Sequence, residues 1–403
     1  MKKSELSKPT TSGYALQDSL GYTRWGEGIE ADALQQMQNA CRLPISVKAA
    51  LMPDAHVGYG LPIGGVLGTR GAVIPYAVGV DIACRVMISL VDLPPKTIAR
   101  DPSRLKRALE KETRFGIGAN FRDRHDHEVM DENWASNPVT KKLKDKAWAQ
   151  LGTSGSGNHF VEWGECELFE PVKGIEPGRY LALVSHSGSR GTGAAVAAHY
   201  SKLAQSLHPT LPRELRHLAW LPMNGEGQEY WQAMELMGKY ASANHHLIHR
   251  GVLRAAGAKS LSYVENHHNF AWKERHDGED LIVHRKGATP AGKGVQGYIP
   301  GTMTAPGFLV EGLGEPDSLD SASHGAGRRM SRTAAKSSIT RHEMKKHLRE
   351  RGVELLSAGL DEAPQAYKDI EAVMRAQESL VRVLGRFQPR IVKMAPEGEK
   401  AED

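Results

Sequence analysis

Apolar positions along this chain follow two periods, one helical and one extended. The segment EADALQQMQNACRL spaces its apolar residues as an amphipathic helix and stops at Pro44. SVKAALMPDAHVGYGLPIGG reads as a strand running into a glycine-rich loop. GAVIPYAVGVDIACRVMISLVDL reads as two strands flanking a loop that carries Asp81 and Cys84. PSRLKRALEKET has the pattern of a charged surface helix, whereas RDRHDHEVMDENWASNP is polar and aperiodic and reads as a loop or lid. YLALVSHSGSRGTG is a short apolar strand followed by a Ser/Gly loop, and a long helical zone covers 193–207 and 227–256. LIVHRKGATPAGKG is another strand entering a Gly/Lys loop. DEAPQAYKDIEAVMRAQESLVRVL reads as a C-terminal helix opened by an acidic turn and Pro364.

Strands and helices are interleaved, no internal repeat is visible, and the small-residue loops are scattered from 52 to 332. That order predicts one large mixed α/β domain whose working residues sit in loops at strand ends. Polar stretches at 1–12 and 395–403 read as mobile tails around a domain spanning 13–394. At 40% hydrophobic and 25% charged, the chain is composed like a globular protein with a sizeable core. A net charge of +5 permits a nucleic-acid partner without requiring one. Three cysteines (Cys41, Cys84 and Cys166) are too few and too odd for a disulfide framework and point to a reducing compartment. The first residues lack the apolar core of a signal peptide and no run is long enough to span a membrane, so a cytoplasmic protein is expected.

The chemistry concentrates in six stretches. GVDIACRV puts a carboxylate and a thiol three residues apart at a strand end, where both can face one divalent metal. Read alone, it is equally a capping Asp beside a small buried Cys. LGTSGSGNHFVEWGE offers Asn158, His159 and Glu162 after a run of small residues. VSHSGSRGTG ends a strand on His186 and continues into a loop bearing Arg190, a phosphate-cradle pattern at a helix start. VENHHNFAWKE carries His267, His268 and Asn269, and HRKGATPAGKG carries Arg285 and Lys286. SASHGAGRRMSR leaves His324 bare among small residues, with Arg328, Arg329 and Arg332 following. Together Asp81, Cys84, His159, His186 and His268 supply oxygen, sulfur and nitrogen ligands for one or two metals. His245 and His249 have zinc-ligand spacing but lack the glutamate of HExxH, and they are read as packing. Cys41 and Cys166 are also read as packing, and His125 and His127 as solvated.

MPDAHVGYGLPIGG, GVDIAC, GSGNHF, HSGSRG, HHN, HRKGAT, HGAGRRMSR and DEAPQAYKD occur in one order, and with them the chain resembles RtcB-type RNA-splicing ligases over roughly residues 45–395. The resemblance implies a single RtcB-like domain and a GTP- and manganese-dependent RNA ligase of tRNA splicing or RNA repair. Such an enzyme joins a 3′-phosphate or 2′,3′-cyclic phosphate end to a 5′-hydroxyl end. It implies His324 as the nucleophile that takes up GMP and Asp54 as the carboxylate orienting it. Asp81, Cys84, His159, His186 and His268 are then ligands of two Mn²⁺ ions, with Cys84 shared. Asn158, Glu162, Asn269, Thr302, Met303, Gly325, Ala326, Gly327, Arg328 and Lys393 are implied nucleotide contacts, Glu162 and Lys393 at guanine. Arg190, Arg285, Lys286 and Arg332 are implied phosphate or RNA contacts, and Arg329 a surface charge. An activating protein partner is compatible with the resemblance; a membrane is not implied. Two positions depart from the family pattern: Arg85 replaces a glycine after the shared cysteine, and Gly307 stands where a guanine-reading serine is usual. A metal-dependent phosphodiesterase or phosphatase on RNA ends, and a non-catalytic RNA-binding relative, are the competing readings.

Overall fold

The structure is a computed structural model that describes residues 16–17 and 20–399. The tail expected at 1–12 lies outside these residues. Among the described residues, no helix is long and apolar enough to cross a membrane.

Two sheets organise the mixed α/β domain. The smaller runs Thr23–Arg24, Ser46–His56, Ile63–Thr69, Glu279–Lys286 and Asn269–His276, antiparallel except for its first pair. The larger runs Gln296–Ile299, Gly307–Gly312, Val381–Met394, Phe160–Leu168, Gly178–Ser187, Arg85–Val91 and Ser260–His267, with Glu354–Ser357 added alongside Val381–Met394. Its two edges meet. The Asn266 side chain donates to Tyr298 O at 3.2 Å and accepts from Tyr298 N–H at 2.7 Å, so the sheet nearly closes into a barrel.

Period-2 alternation then sorts the side chains. Ala182 and Val184 face the interior, with Val86, Ile88, Leu90, Tyr298 and Phe387. Leu181 and Leu183 face outward, onto Leu105 and Leu109 of the helix Pro102–Glu112 and Ile248 and Val252 of the helix Glu226–Ala256. That second helix is 31 residues long; it opens on Glu226 and Glu229 and ends at Gly257 in the left-handed conformation.

Three segments differ from expectation. Upstream of Asp81, the apolar run forms only the two-residue strand Ala72–Val73 and the helical turn Pro75–Val78, because Pro75 at the first helical position favours a turn. The stretch read as a lid is pinned down: Trp134, Val129 and Met130 are buried, and the Trp134 indole N–H donates to Val129 O at 2.9 Å. His125 and His127 within it are half-buried rather than solvated, and His127 Nδ1 accepts from Val129 N–H at 3.1 Å. The C-terminal helix is only Ile370–Ala376. Val381–Met394 is instead an interior strand of the large sheet, paired from Gly385 to Met394 with Phe160–Leu168. Branched residues Val381 and Val383 in VRVLGRF suit that extended state.

Candidate active site

The open end of the barrel is where the strand ends converge. Continuing the inward alternation past Ala182 and Val184 brings His186 to the rim. Cys84 precedes the strand Arg85–Val91, with Ala83 held at φ 58°, a strained conformation that turns the thiol inward. His268 stands between two adjacent strands, its N–H donating to Cys84 O at 3.0 Å. These residues border a cavity of about 300 Å³.

The cluster is tight. Cys84 Sγ lies 3.1 Å from His186 Nε2 and 3.4 Å from His159 Nε2. His186 Nε2 is 3.2 Å from His268 Nε2, and His159 Nε2 is 3.1 Å from Asp81 Oδ2. His186 Nδ1–H donates to the Asn158 carbonyl at 3.0 Å, which directs the Nε2 lone pair at the cluster. Burial first, then neighbouring His159, holds His186 down at about 3, so its ring is neutral at physiological pH. Burial pushes Asp81 up, but its contacts with His159, Cys84 and Ser189 N–H outweigh this and leave it ionised. The loop after His186 can approach Asp81 so closely only through Gly188, where a Cβ would meet the carboxylate at 2.0 Å. A buried carboxylate oxygen without a hydrogen-bond donor, Asp81 Oδ2, beside imidazole nitrogens and a thiol is a donor set that fits a divalent transition metal.

His324 approaches from the other wall. Its Nδ1 and the Asp54 carboxylate Oδ2 are 2.7 Å apart, and the same oxygen accepts His324 N–H at 3.2 Å. Asp54 is fully buried, whereas the His324 side chain is 15% exposed, so Nε2 is the atom left toward the cavity. Its ring centroid is 4.8 Å from that of His268. The close approach depends on Gly327, at φ +72°, where a Cβ would stand 2.1 Å from Asp54 O. His56, missed in the sequence, also lines the cavity. Burial lowers it to about 4, and its place two residues after Asp54 on one strand was the available signal.

Of the remaining sequence candidates, Asn158, Glu162, Asn269, Lys286, Thr302, Met303, Gly325, Ala326, Gly327, Arg328 and Arg332 line the cavity. Asn269 ties two walls together, donating to Asp81 O at 3.3 Å and accepting from Gly287 N–H at 2.9 Å. Lys286 donates to Tyr59 O, and burial lowers its ammonium to about 7. Glu162 is 4% exposed, and burial pushes its carboxyl well above the usual range. Arg328 and Arg332 are paired with an unforeseen counter-charge, the turn Leu360–Glu362. Arg328 lies 3.6 Å from Glu362, and Arg332 contacts both Asp361 and Glu362.

Three cations stand elsewhere. Arg285 is fully buried, with both guanidinium nitrogens on Glu274 at 2.7 and 2.9 Å and the plane over Trp272. Arg190, 2% exposed, ties Thr153 Oγ1 and Gly116 O together at 2.9 and 2.8 Å. Lys393 points outward, because Val392 and Met394 take the cavity side, and it meets the carbonyls ending the helix Pro102–Glu112. Arg329 donates to Gln365 O at the surface. The Arg85 side chain also leaves the cluster: it turns outward to Glu265 at 3.4 Å and Gly238 O at 3.0 Å. His245 and His249 hydrogen-bond to serines, as described below, and Cys41 and Cys166 are buried.

Comparison with known proteins matches this architecture to one family. The model of the tRNA-splicing ligase RtcB family matches residues 36–136 and 124–394. An RNA-splicing ligase RtcB of Escherichia coli is 35% identical over 89% of this chain and 94% of its own length. A tRNA-splicing ligase RtcB of Archaeoglobus fulgidus is 31% identical over 90% of both chains. An RNA-splicing ligase RtcB homolog of Entamoeba histolytica is 29% identical over 90% of this chain and 83% of its own. With the motif residues gathered around one cavity and the match running through nearly the whole chain, this protein is a member of the RtcB family of RNA ligases.

Proposed function

We propose that this chain joins RNA 3′-phosphate or 2′,3′-cyclic phosphate ends to 5′-hydroxyl ends, using GTP and manganese, with His324 as the covalent nucleophile. The observation that carries the reading is the Asp54–His324 pair at 2.7 Å, set beside the Cys/His cluster on the wall of one cavity. Asp54 accepts a hydrogen bond from Nδ1–H, fixes the ring and leaves the Nε2 lone pair free. His324 Nε2 then attacks the α-phosphorus of GTP; the bond to the β-phosphate oxygen breaks and pyrophosphate leaves. An oxygen of the RNA 3′-phosphate next takes the guanylyl group, and the histidine–phosphorus bond breaks. The 5′-hydroxyl oxygen finally attacks the RNA phosphorus, and GMP departs. A cyclic phosphate is opened by water beforehand.

Asp81, Cys84, His159, His186 and His268 would hold the metal, two ions in the full reading. When bound, the metal supplies Lewis-acid polarisation of phosphate oxygens. Lys286 and Arg328, which line the cavity, would offset phosphate charge, and Arg328 and Arg332 would do so in competition with Asp361 and Glu362. tRNA or other cleaved RNA is the substrate, and a cytoplasmic setting fits a cysteine count of only three.

Incubation with α-³²P-GTP and Mn²⁺ tests the proposal. A covalent label that is lost in His324→Ala, together with ligation of a 3′-phosphate RNA to a 5′-hydroxyl RNA, is expected. Removal of the end phosphate without any label would favour the phosphodiesterase reading instead.

A further inference from the structure

The cavity extends past the metal cluster into the open barrel end, and its floor there carries two buried polar groups. One is the Glu162 carboxyl group. The other is the Tyr298 hydroxyl, on a residue 1% exposed that lines the cavity and packs in the barrel interior. Neither side chain has a hydrogen-bond partner among the described residues. Around them the walls are apolar: Phe160, Met303, Val392 and Met394. A slot with apolar sides and unsatisfied polar groups at one end is built for a flat heterocycle with a polar edge.

Tyr298 reaches this place at the expense of its neighbour. A Cβ on Gly307 would stand 2.0 Å from the Tyr298 hydroxyl oxygen and 2.5 Å from Cζ. Gly307 has no left-handed φ, so glycine is required there for room and not for backbone conformation. The phenol hydroxyl thus occupies the position where a side chain at 307 would begin. The backbone of Tyr298 is clamped by Asn266 through its carbonyl and its N–H, and the ring packs in the barrel interior edge-on to Phe387 at 6.1 Å.

We infer that Tyr298 is a base-reading residue of this chain. Its hydroxyl donates to an acceptor on the edge of a guanine, while Glu162 accepts from the base N–H groups. Adenine presents a different set of donors and acceptors on its edge and fits the pair less well. The inference rests on the nucleotide-dependent reading above and gives it a specificity element in the position left open by Gly307.

The test is equilibrium binding of the α,β-methylene analogues of GTP and ATP to the full chain with Mn²⁺, which reads affinity without turnover. Tyr298→Phe, with its melting temperature retained, is expected to reduce the guanine preference about tenfold, the worth of one hydrogen bond in a dry site. Moving the hydroxyl to the neighbouring strand, in Tyr298→Val with Gly307→Ser, is expected to recover preference over Tyr298→Val alone. An unchanged preference in Tyr298→Phe, or no recovery in the double variant, overturns the role of Tyr298. Binding of neither analogue by the unaltered protein overturns the nucleotide reading itself, and this inference with it.

Discussion

The strand Gly178–Ser187 has histidines on both of its faces, and the two faces use them in opposite ways. Inward, His186 meets Cys84, His159 and His268 through nitrogens and a sulfur that have no hydroxyl or amide donor between them. Outward, a buried chain runs from Ser89 to His249 at 2.8 Å, on to Ser185 at 2.9 Å, to His245 at 2.6 Å and to Ser187 O at 3.1 Å. Every ring nitrogen of that outer chain is used. Burial holds His186 and His268 on the inner face and His245 and His249 on the outer face neutral, so charge state does not distinguish these pairs. What distinguishes them is satisfaction: on the outer face both ring nitrogens of His245 and His249 have hydroxyl or carbonyl partners, whereas the inner cluster turns imidazole nitrogens and a thiol on one another, a donor set that fits a cation. Asn244, one residue before His245, extends the outer bracing by donating to Gly188 O at 3.0 Å.

The contrast breaks most sharply at His324. His324→Ala is expected to abolish covalent labelling by GTP, whereas His249→Gln on the outer face leaves labelling in place, as a gel assay reads directly. Asp54→Asn comes next: it keeps a hydrogen-bonding partner but reverses the tautomer, slowing labelling by about 10⁴-fold with the melting temperature little changed. Cys84→Ser is expected to lower bound manganese in metal analysis without large loss of stability. Ser185→Ala does the converse, costing about 1–3 kcal/mol in urea unfolding for the histidine nitrogens it orphans while metal content stays intact.

Acid provides a finer probe. His249 is held to about 3 and His284 to about 4, mainly by burial, against an ordinary 6.5. The unfolded chain therefore binds protons that the fold refuses, so stability is full above 6.5 and falls as pH drops toward those values. Unfolding curves at decreasing pH should show this loss, and His249→Gln should make it shallower. The smallest effect belongs to Lys286, which is charged below about 7 and neutral above it. Triphosphate affinity should weaken as pH rises through that value, and Lys286→Met should flatten the profile.

Much of the inner face was legible because its residues sit in short motifs at strand ends. Small neighbours and an abrupt change from apolar to polar mark Cys84, His159, His186, His268 and His324 in the sequence itself. The cations were harder. Arg285 precedes a Gly/Lys loop that resembles a phosphate cradle, but it lies inside the strand Glu279–Lys286, and its partner Glu274 comes from the adjacent hairpin strand. Arg190 and Lys393 likewise spend their donors on carbonyls or hydroxyls distant in sequence. Tyr298 gave no signal at all, because in QGYI it reads as an ordinary strand aromatic and only the empty space over Gly307 sets it apart. The C-terminal strand was hidden for a related reason: its acidic, proline-led approach mimics a helix start, and its pairing partner lies more than two hundred residues earlier.

Asn266 closes the barrel through Tyr298, and it stands two residues before His268 and three before Asn269. One short stretch of backbone therefore touches the floor beneath Glu162, the histidine cluster and the turn that carries Asp81. His268 is consequently braced from two strands, one in each sheet, instead of riding on a loop that moves independently. On the proposed nucleotide-dependent reading, a substrate meeting the base end of the slot would find the histidine wall already set at its distance.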